Sequence, residues 1–245
     1  GCENSLECRK DNFCLDPKRN NIERTAWFIL LTAFITFCSL SILVPASLRW
    51  YVINATVPFM TNVTSVRGTG IIVNPTAELS SSLTDGNTMP IEEGFSVSTD
   101  ETSQAILAFS DDSSLTMYGQ TTILLHETRA PRFGLSSNPV KILIEVQKGR
   151  VRATSSLSRT ALNFDVNTPQ AQIELSEGSF SIEVNEEETQ ITTRLGQATV
   201  FGNGQVRMLN QGERVLVRTD ESPSSPLPAA QNLLKDTSFG PNLLA

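Results

Sequence analysis

Acid–base chemistry in this 245-residue chain would have to start at His126, its one histidine. Without a second histidine or a cysteine in the same region, a nucleophile pair must be built around this residue alone, so an ordinary surface imidazole at a strand end is expected. Three acidic pairs, Glu92/Glu93, Asp100/Glu101 and Asp111/Asp112, have the composition of a calcium site or a glycosidase dyad. Neighbours on a strand point to opposite faces, and these pairs sit at turns, so they read as solvated turn carboxylates. Cys2, Cys8 and Cys14 recur every six residues. Zinc sites pair ligands about two to four residues apart in sets of four, so reduced, unpaired thiols are the reading here. Gly68-Thr69-Gly70 and Gly202-Asn203-Gly204 are followed by no helix and make no phosphate cradle. No catalytic, cofactor-binding or metal-ligating residue is assigned and no cofactor is called for. The chain reads as a non-enzyme.

What must position the rest is a membrane anchor. Ala26–Val44 holds nineteen residues without a charge, glycine or proline. As a helix it reaches roughly 28 Å, close to the hydrocarbon thickness of a bilayer. Trp27 lies at one end, Trp50 and Tyr51 just past the other, where amphipathic rings settle at interfaces, and Pro45 marks the end of the apolar run. The run exceeds a signal-peptide core, so an uncleaved signal-anchor is expected. Arg9, Lys10, Lys18, Arg19 and Arg24 precede it and only Arg49 closely follows, which places the N-terminus in the cytoplasm and the body outside, periplasmic or at the cell surface. Thr32, Thr36 and Ser39 share one helix face, either to pack a partner helix or to bond their own helix carbonyls. The opening Gly1-Cys2 also fits an acylation signal, weighed as a minor reading.

These features divide the chain into a cytoplasmic head (1–25), the helix (26–44), a connector (45–62), a β domain (63–218), a Pro/Ser linker (219–231) and a tail (232–245). The head balances five basic against five acidic residues, so the net charge of −7 belongs to the body. An acidic body without a Lys/Arg stripe excludes nucleic acid as a partner. All four cysteines precede the body, which therefore has no internal disulfide and depends on packing. From Val63 the apolar residues alternate with period two and are broken every eight to twelve residues by Gly, Asn, Asp or Ser. The body is thus all-β, a sandwich or a short solenoid of stacked hairpins. Asn203-Gly204 predicts a two-residue hairpin. Lys148-Gly149-Arg150-Val151, Glu177-Gly178-Ser179-Phe180 and Gln211-Gly212-Glu213 repeat one unit, a polar residue and glycine opening an alternating strand.

Val63–Gly68, Gly70–Val73, Ile91–Ser98 and Ser103–Leu115, followed by Asn167-Thr168-Pro169, Glu177–Ile182 and Leu209–Glu213, form an ordered series. In it the chain resembles the FecR family of bacterial extracytoplasmic domains. Gly68, Asp112, Gly178 and Gly212 fall at the family's turns. Asp112-Ser113-Ser114 stands where the family has Asp-Gly-Ser, so that turn is made without glycine. The resemblance implies a bacterial envelope protein. Some members pass an outside signal through one helix to a cytoplasmic segment that controls a sigma factor, and the head here is shorter than theirs. Asn232–Phe239 looks like the opening strand of galactose-binding-like jelly rolls.

The expectation is a single-pass envelope protein whose β domain acts as a protein-interaction or scaffolding module, an accessory subunit of a membrane complex with other membrane proteins as partners. A transmembrane signalling regulator of the sigma-regulator type, sensing an extracytoplasmic ligand, is the alternative. A carbohydrate-binding surface protein is the third.

Overall fold

The computed structural model describes residues 17–68, 70–74, 81–136, 138–155 and 162–229. Cys2, Cys8, Cys14, the acylation signal at Gly1 and Cys2, and Asn232–Phe239 lie outside the described residues. The chain divides into two compact units, Gly1–Val52 and Ile53–Ala245, each taken by itself.

The first unit is helix α1, which spans Pro17–Asn54 and so ends two residues into the second. Pro17 suits a first helical position, where no N–H bond is lost. Arg24–Asn54, 31 residues with mean hydropathy 2.3, is long and apolar enough to cross a membrane. Its large side chains are exposed all round, Trp27, Phe28, Phe37 and Trp50 among them, as suits a helix with an apolar solvent. The apolar run stops at Pro45 but the helix does not. Proline removes one backbone bond and bends a helix, and the glycine-free residues after it resume the spiral to Asn54, so half the expected connector is helical.

The second unit is built from alternating strands. Before its longest strand come β1 (Thr56–Pro58), β2 (Thr61–Arg67), β3 (Ile71–Asn74), β4 (Ser81–Leu83), β5 (Thr88–Ile91), β6 (Ser96–Thr99), β7 (Gln104–Ala108), β8 (Ser114–Met117) and β9 (Thr122–Pro131). The longest is β10 (Val140–Ser155). After it come β11 (Leu162–Asn167), β12 (Gln172–Leu175), β13 (Gly178–Val184), β14 (Glu188–Leu195), β15 (Ala198–Gly202), β16 (Gln205–Leu209), β17 (Glu213–Arg218) and β18 (Leu227–Pro228). They pair as two sheets. One runs β4-β3-β6-β9-β10-β11-β12-β15-β16, with β1 along the far end of β9. The other runs β5-β2-β7-β8-β10-β13-β14-β17-β18. The faces between them share one hydrophobic core that includes Val63, Leu107, Ile144, Phe164, Phe180 and Val215.

β10 belongs to both sheets. Val140–Lys148 pairs with β9 and β11; Gly149–Ser155 pairs with β13 and, in part, β8. Its buried positions show the switch: Val140, Ile142, Ile144 and Val146 point inward, and then Val151, Ala153 and Ser155. The parity changes between Val146 and Val151, and a one-residue phase change turns every later side chain to the other face. Gly149 sits at the change with φ +96°. The polar pair Lys148-Gly149 between the apolar-alternating runs Lys141–Gln147 and Arg150–Thr154 predicts a turn that separates two strands. The glycine does take positive φ, but it carries one strand from sheet to sheet instead of ending it.

The Pro/Ser stretch read as a linker instead packs along β17: Ser224 N–H donates to Leu216 O (2.9 Å), Ala229 N–H donates to Gly212 O (2.7 Å), and Pro223 is buried. The Asn203-Gly204 turn has the expected form, with both residues at positive φ.

An added Cβ at Gly149 would lie 2.5 Å from Thr121 Cα and 2.7 Å from Gln120 O, both backbone atoms. Gly149→Ala is expected to cost about 3 kcal/mol or more, combining overpacking with the left-handed backbone. Gly86→Ala, at φ +76° with nothing within 4 Å, should cost only about 1–2 kcal/mol. Urea unfolding of the full chain in detergent, followed by the β-sheet circular dichroism signal, compares them.

Candidate functional site

Where β10 changes sheets its ladder is interrupted, and threonine hydroxyls fill the gap. Thr121, fully buried, accepts the Arg150 N–H at Oγ1 (3.0 Å) and donates to Arg150 O (3.1 Å). Thr99 Oγ1 donates to Tyr118 O (2.6 Å) and accepts the Thr121 N–H (3.0 Å). Side-chain oxygens thus satisfy backbone groups that a regular ladder would have paired.

A polar groove of about 770 Å³ opens over this crossover, flanked by Asp100, Glu101, Gln120, Lys148, Arg150 and Glu183. Gln120 adopts φ +59° and its Nε2 donates to Glu101 Oε1 (2.7 Å). Asp100 Oδ1 accepts the N–H groups of Ser103 (2.7 Å) and Thr102 (2.9 Å), and hydrogen bonds from these two residues hold its carboxyl below the usual carboxylate range. The Arg150 guanidinium lies over the Tyr118 ring, 5.3 Å from its centroid. Two cations with carboxylates and an amide around one opening can bind a polar ligand by hydrogen bonds and charge.

The residues singled out in the sequence are scattered. His126 is the extra residue of a bulge between β9 and β10, and its Nε2 shares a hydrogen bond with Glu145 (2.6 Å). Glu93 receives Arg129 through both oxygens (3.1 and 3.3 Å), which raises the Arg129 pKa, and also accepts the Thr128 N–H (3.0 Å). Asp111 accepts the Ser113 hydroxyl (2.7 Å), and Asp112 makes its turn at φ +67° without glycine. Gly68 and Gly212 lie between strands at φ +83° and +81°, and Gly178, at φ +150°, is the first residue of β13. Thr32 Oγ1 donates to Phe28 O (2.8 Å) and Thr36 Oγ1 to Thr32 O (2.8 Å), within their own helix. Thr99, Thr121 and Arg150 have no spacing that would have marked them. Only Lys148-Gly149-Arg150 stood out in the sequence, as a turn.

On the outer face of the first sheet, Asp165 stands directly across from Glu174. Burial, and then the Glu174 charge, push the Asp165 carboxyl above its ordinary range.

The FecR protein family model matches Phe95 to Val200. Residues 95–200 are a FecR segment. It runs from β6 to β15, with β10 at its centre, and contains every residue lining the groove. Two crystal structures of a "putative anti-sigma factor" from Parabacteroides distasonis ATCC 8503, at 2.50 and 1.65 Å resolution, are 18% identical to this chain with a TM-score of 0.44. The match covers 55% of this chain and 59% of theirs, so the chain spans somewhat over half the length of these structures. No curated protein matches.

Thr121→Val removes the acceptor of the part-buried Arg150 N–H and is expected to cost about 1 kcal/mol, whereas Thr121→Ser should retain most of the stability. Asp165 gives the opposite sign. A carboxyl whose pKa is higher folded than unfolded opposes folding when ionised, so its contribution improves as pH falls through the folded value. Asp165→Asn is expected to raise the melting temperature at pH 7, with the gain vanishing by about pH 3, below the ordinary value of about 3.9. Melting curves of variant and parent at the two pH values test this.

Proposed function

We propose that the chain is a single-pass, non-enzymatic membrane regulator of the FecR type. The β unit meets a stimulus outside the cytoplasm, α1 carries the consequence across the bilayer, and the head, Gly1–Thr25, acts on a cytoplasmic partner of the sigma-factor class. The observation that carries this reading is a FecR segment in the middle of the β unit, in the same chain as one membrane-length helix. The basic residues before that helix support a cytoplasmic head. The groove at the crossover is the place assigned to a polar stimulus.

The family match supports a regulator better than an accessory subunit of a membrane complex. The hydroxyls offered for packing a partner helix, Thr32 and Thr36, are already used inside α1, so they do not by themselves call for one.

Removing residues 1–25 while keeping the helix and β unit should abolish a transcriptional response that the full chain supports. A crosslinker placed in the head should capture a sigma factor or another transcription regulator. Protease added outside intact cells or spheroplasts should shave the β unit and leave the head. Transcript levels indifferent to the head, or a head accessible from outside, overturn the proposal.

A further inference from the structure

The described strands that end the two sheets are protected in different ways. β1 is three residues long and finishes at Pro58; β4 is also three residues. In β5 the Ser65 N–H bonds Asn87 O, which sets the register so that Thr88 and Pro90 face away from β2, and the outward position lacks an N–H. β18 carries Pro228 and follows Pro226. Short strands and outward prolines prevent a further strand from adding.

β16 has none of these devices. It is five residues long, proline-free, and pairs with β15 on one side. The two-residue turn makes Gly202 and Gln205 a bonded pair, so Gln205, Arg207 and Leu209 face β15 through their backbone. The N–H and C=O groups of Val206 and Met208 therefore point outward, and no hydrogen bond reaches them among the described residues. The side chains of these two share one face and are 51% and 60% exposed. Arg207 lies on the other face, exposed, and among the described residues no carboxylate lies within ion-pair distance.

We infer that β16 is a docking edge for an extended segment of a partner protein, apolar at the positions opposite Val206 and Met208 and carrying a carboxylate opposite Arg207. Strand addition supplies the outward backbone groups with partners, and alternate side chains supply selectivity. Arg207 falls at a position without backbone bonds to the new strand, where facing side chains approach most closely, so a carboxylate there neutralises it. A second copy of this chain fits less well. Self-pairing centred on Arg207 sets two guanidinium groups face to face, and the bodies share the sign of a net charge of −7. β16 lies outside residues 95–200, and the inference does not rest on the regulatory reading.

The test uses the full chain in detergent micelles and a fluorescein-labelled peptide, Ser-Thr-Val-Glu-Val-Thr-Ser. Saturable anisotropy is expected, with the Val206 and Met208 amides exchanging rapidly in the free protein and slowly in the complex. Val206→Pro removes one outward donor and leaves the bonds to β15, so affinity should fall about tenfold or more while the Gln205 and Arg207 amides stay protected. Arg207→Glu should weaken binding similarly, and the peptide with lysine in place of glutamate should restore it. Absent binding, affinity indifferent to Val206→Pro, or no restoration by the charge swap overturns the inference. So does slow exchange at Val206 and Met208 in the free monomer, which means the chain covers its own edge, or their protection in a concentration-dependent dimer, which makes a second copy the occupant.

Discussion

One strand in two sheets is the constraint on which this β unit depends. A strand that stays in one sheet needs only one inward face, but β10 must bury even-numbered residues along its first half and odd-numbered residues along its second. The change of parity is confined to Gln147–Arg150, where backbone strands come too close to admit a Cβ at Gly149. A ladder cannot continue through such a step, and the groups it abandons lie inside the protein, where unpaired donors are costly. Thr99 and Thr121 answer that cost with hydroxyls in place of a neighbouring strand. The groove above the crossover is polar because Asp100, Glu101, Gln120, Lys148, Arg150 and Glu183 bring charged and amide side chains to it.

From β10 outward the chain follows one rule. β11 and β12 extend the first sheet, β13 and β14 the second, β15 and β16 the first again, β17 and β18 the second. Each hairpin lands beside the one laid down two steps before and over the one just completed, so core is buried as the chain lengthens. Alternation between the sheets removes any need for a long connection, and local turns such as Asn203-Gly204 set the register.

Much of this was legible in the sequence. Strict alternation in Phe180–Val184 reports one buried face, and an Asn-Gly pair between two strand runs reports a hairpin. The crossover was not legible, because Lys148-Gly149-Arg150 has the composition of a turn, and only the pairing of Gly149–Ser155 with β13 reveals a strand that continues. The Pro/Ser stretch misled for a related reason: composition says that a segment cannot form a central strand, not that it cannot lie against one. The groove was hidden because its lining comes from segments as far apart as Asp100, Gln120, Arg150 and Glu183. His126 was read as a surface imidazole at a strand end, and its partner Glu145 depends on a bulge that no periodicity announces.

The hairpin-by-hairpin layout also bears on how such a body can change in size. Strands at the margins touch only the previous layer, while the demanding geometry is concentrated at the middle. Length is therefore available in steps of one hairpin at the margin formed by β16 and β18, much as courses of brick are added to a wall, and a truncation or graft made at those steps is expected to leave the keystone strand undisturbed.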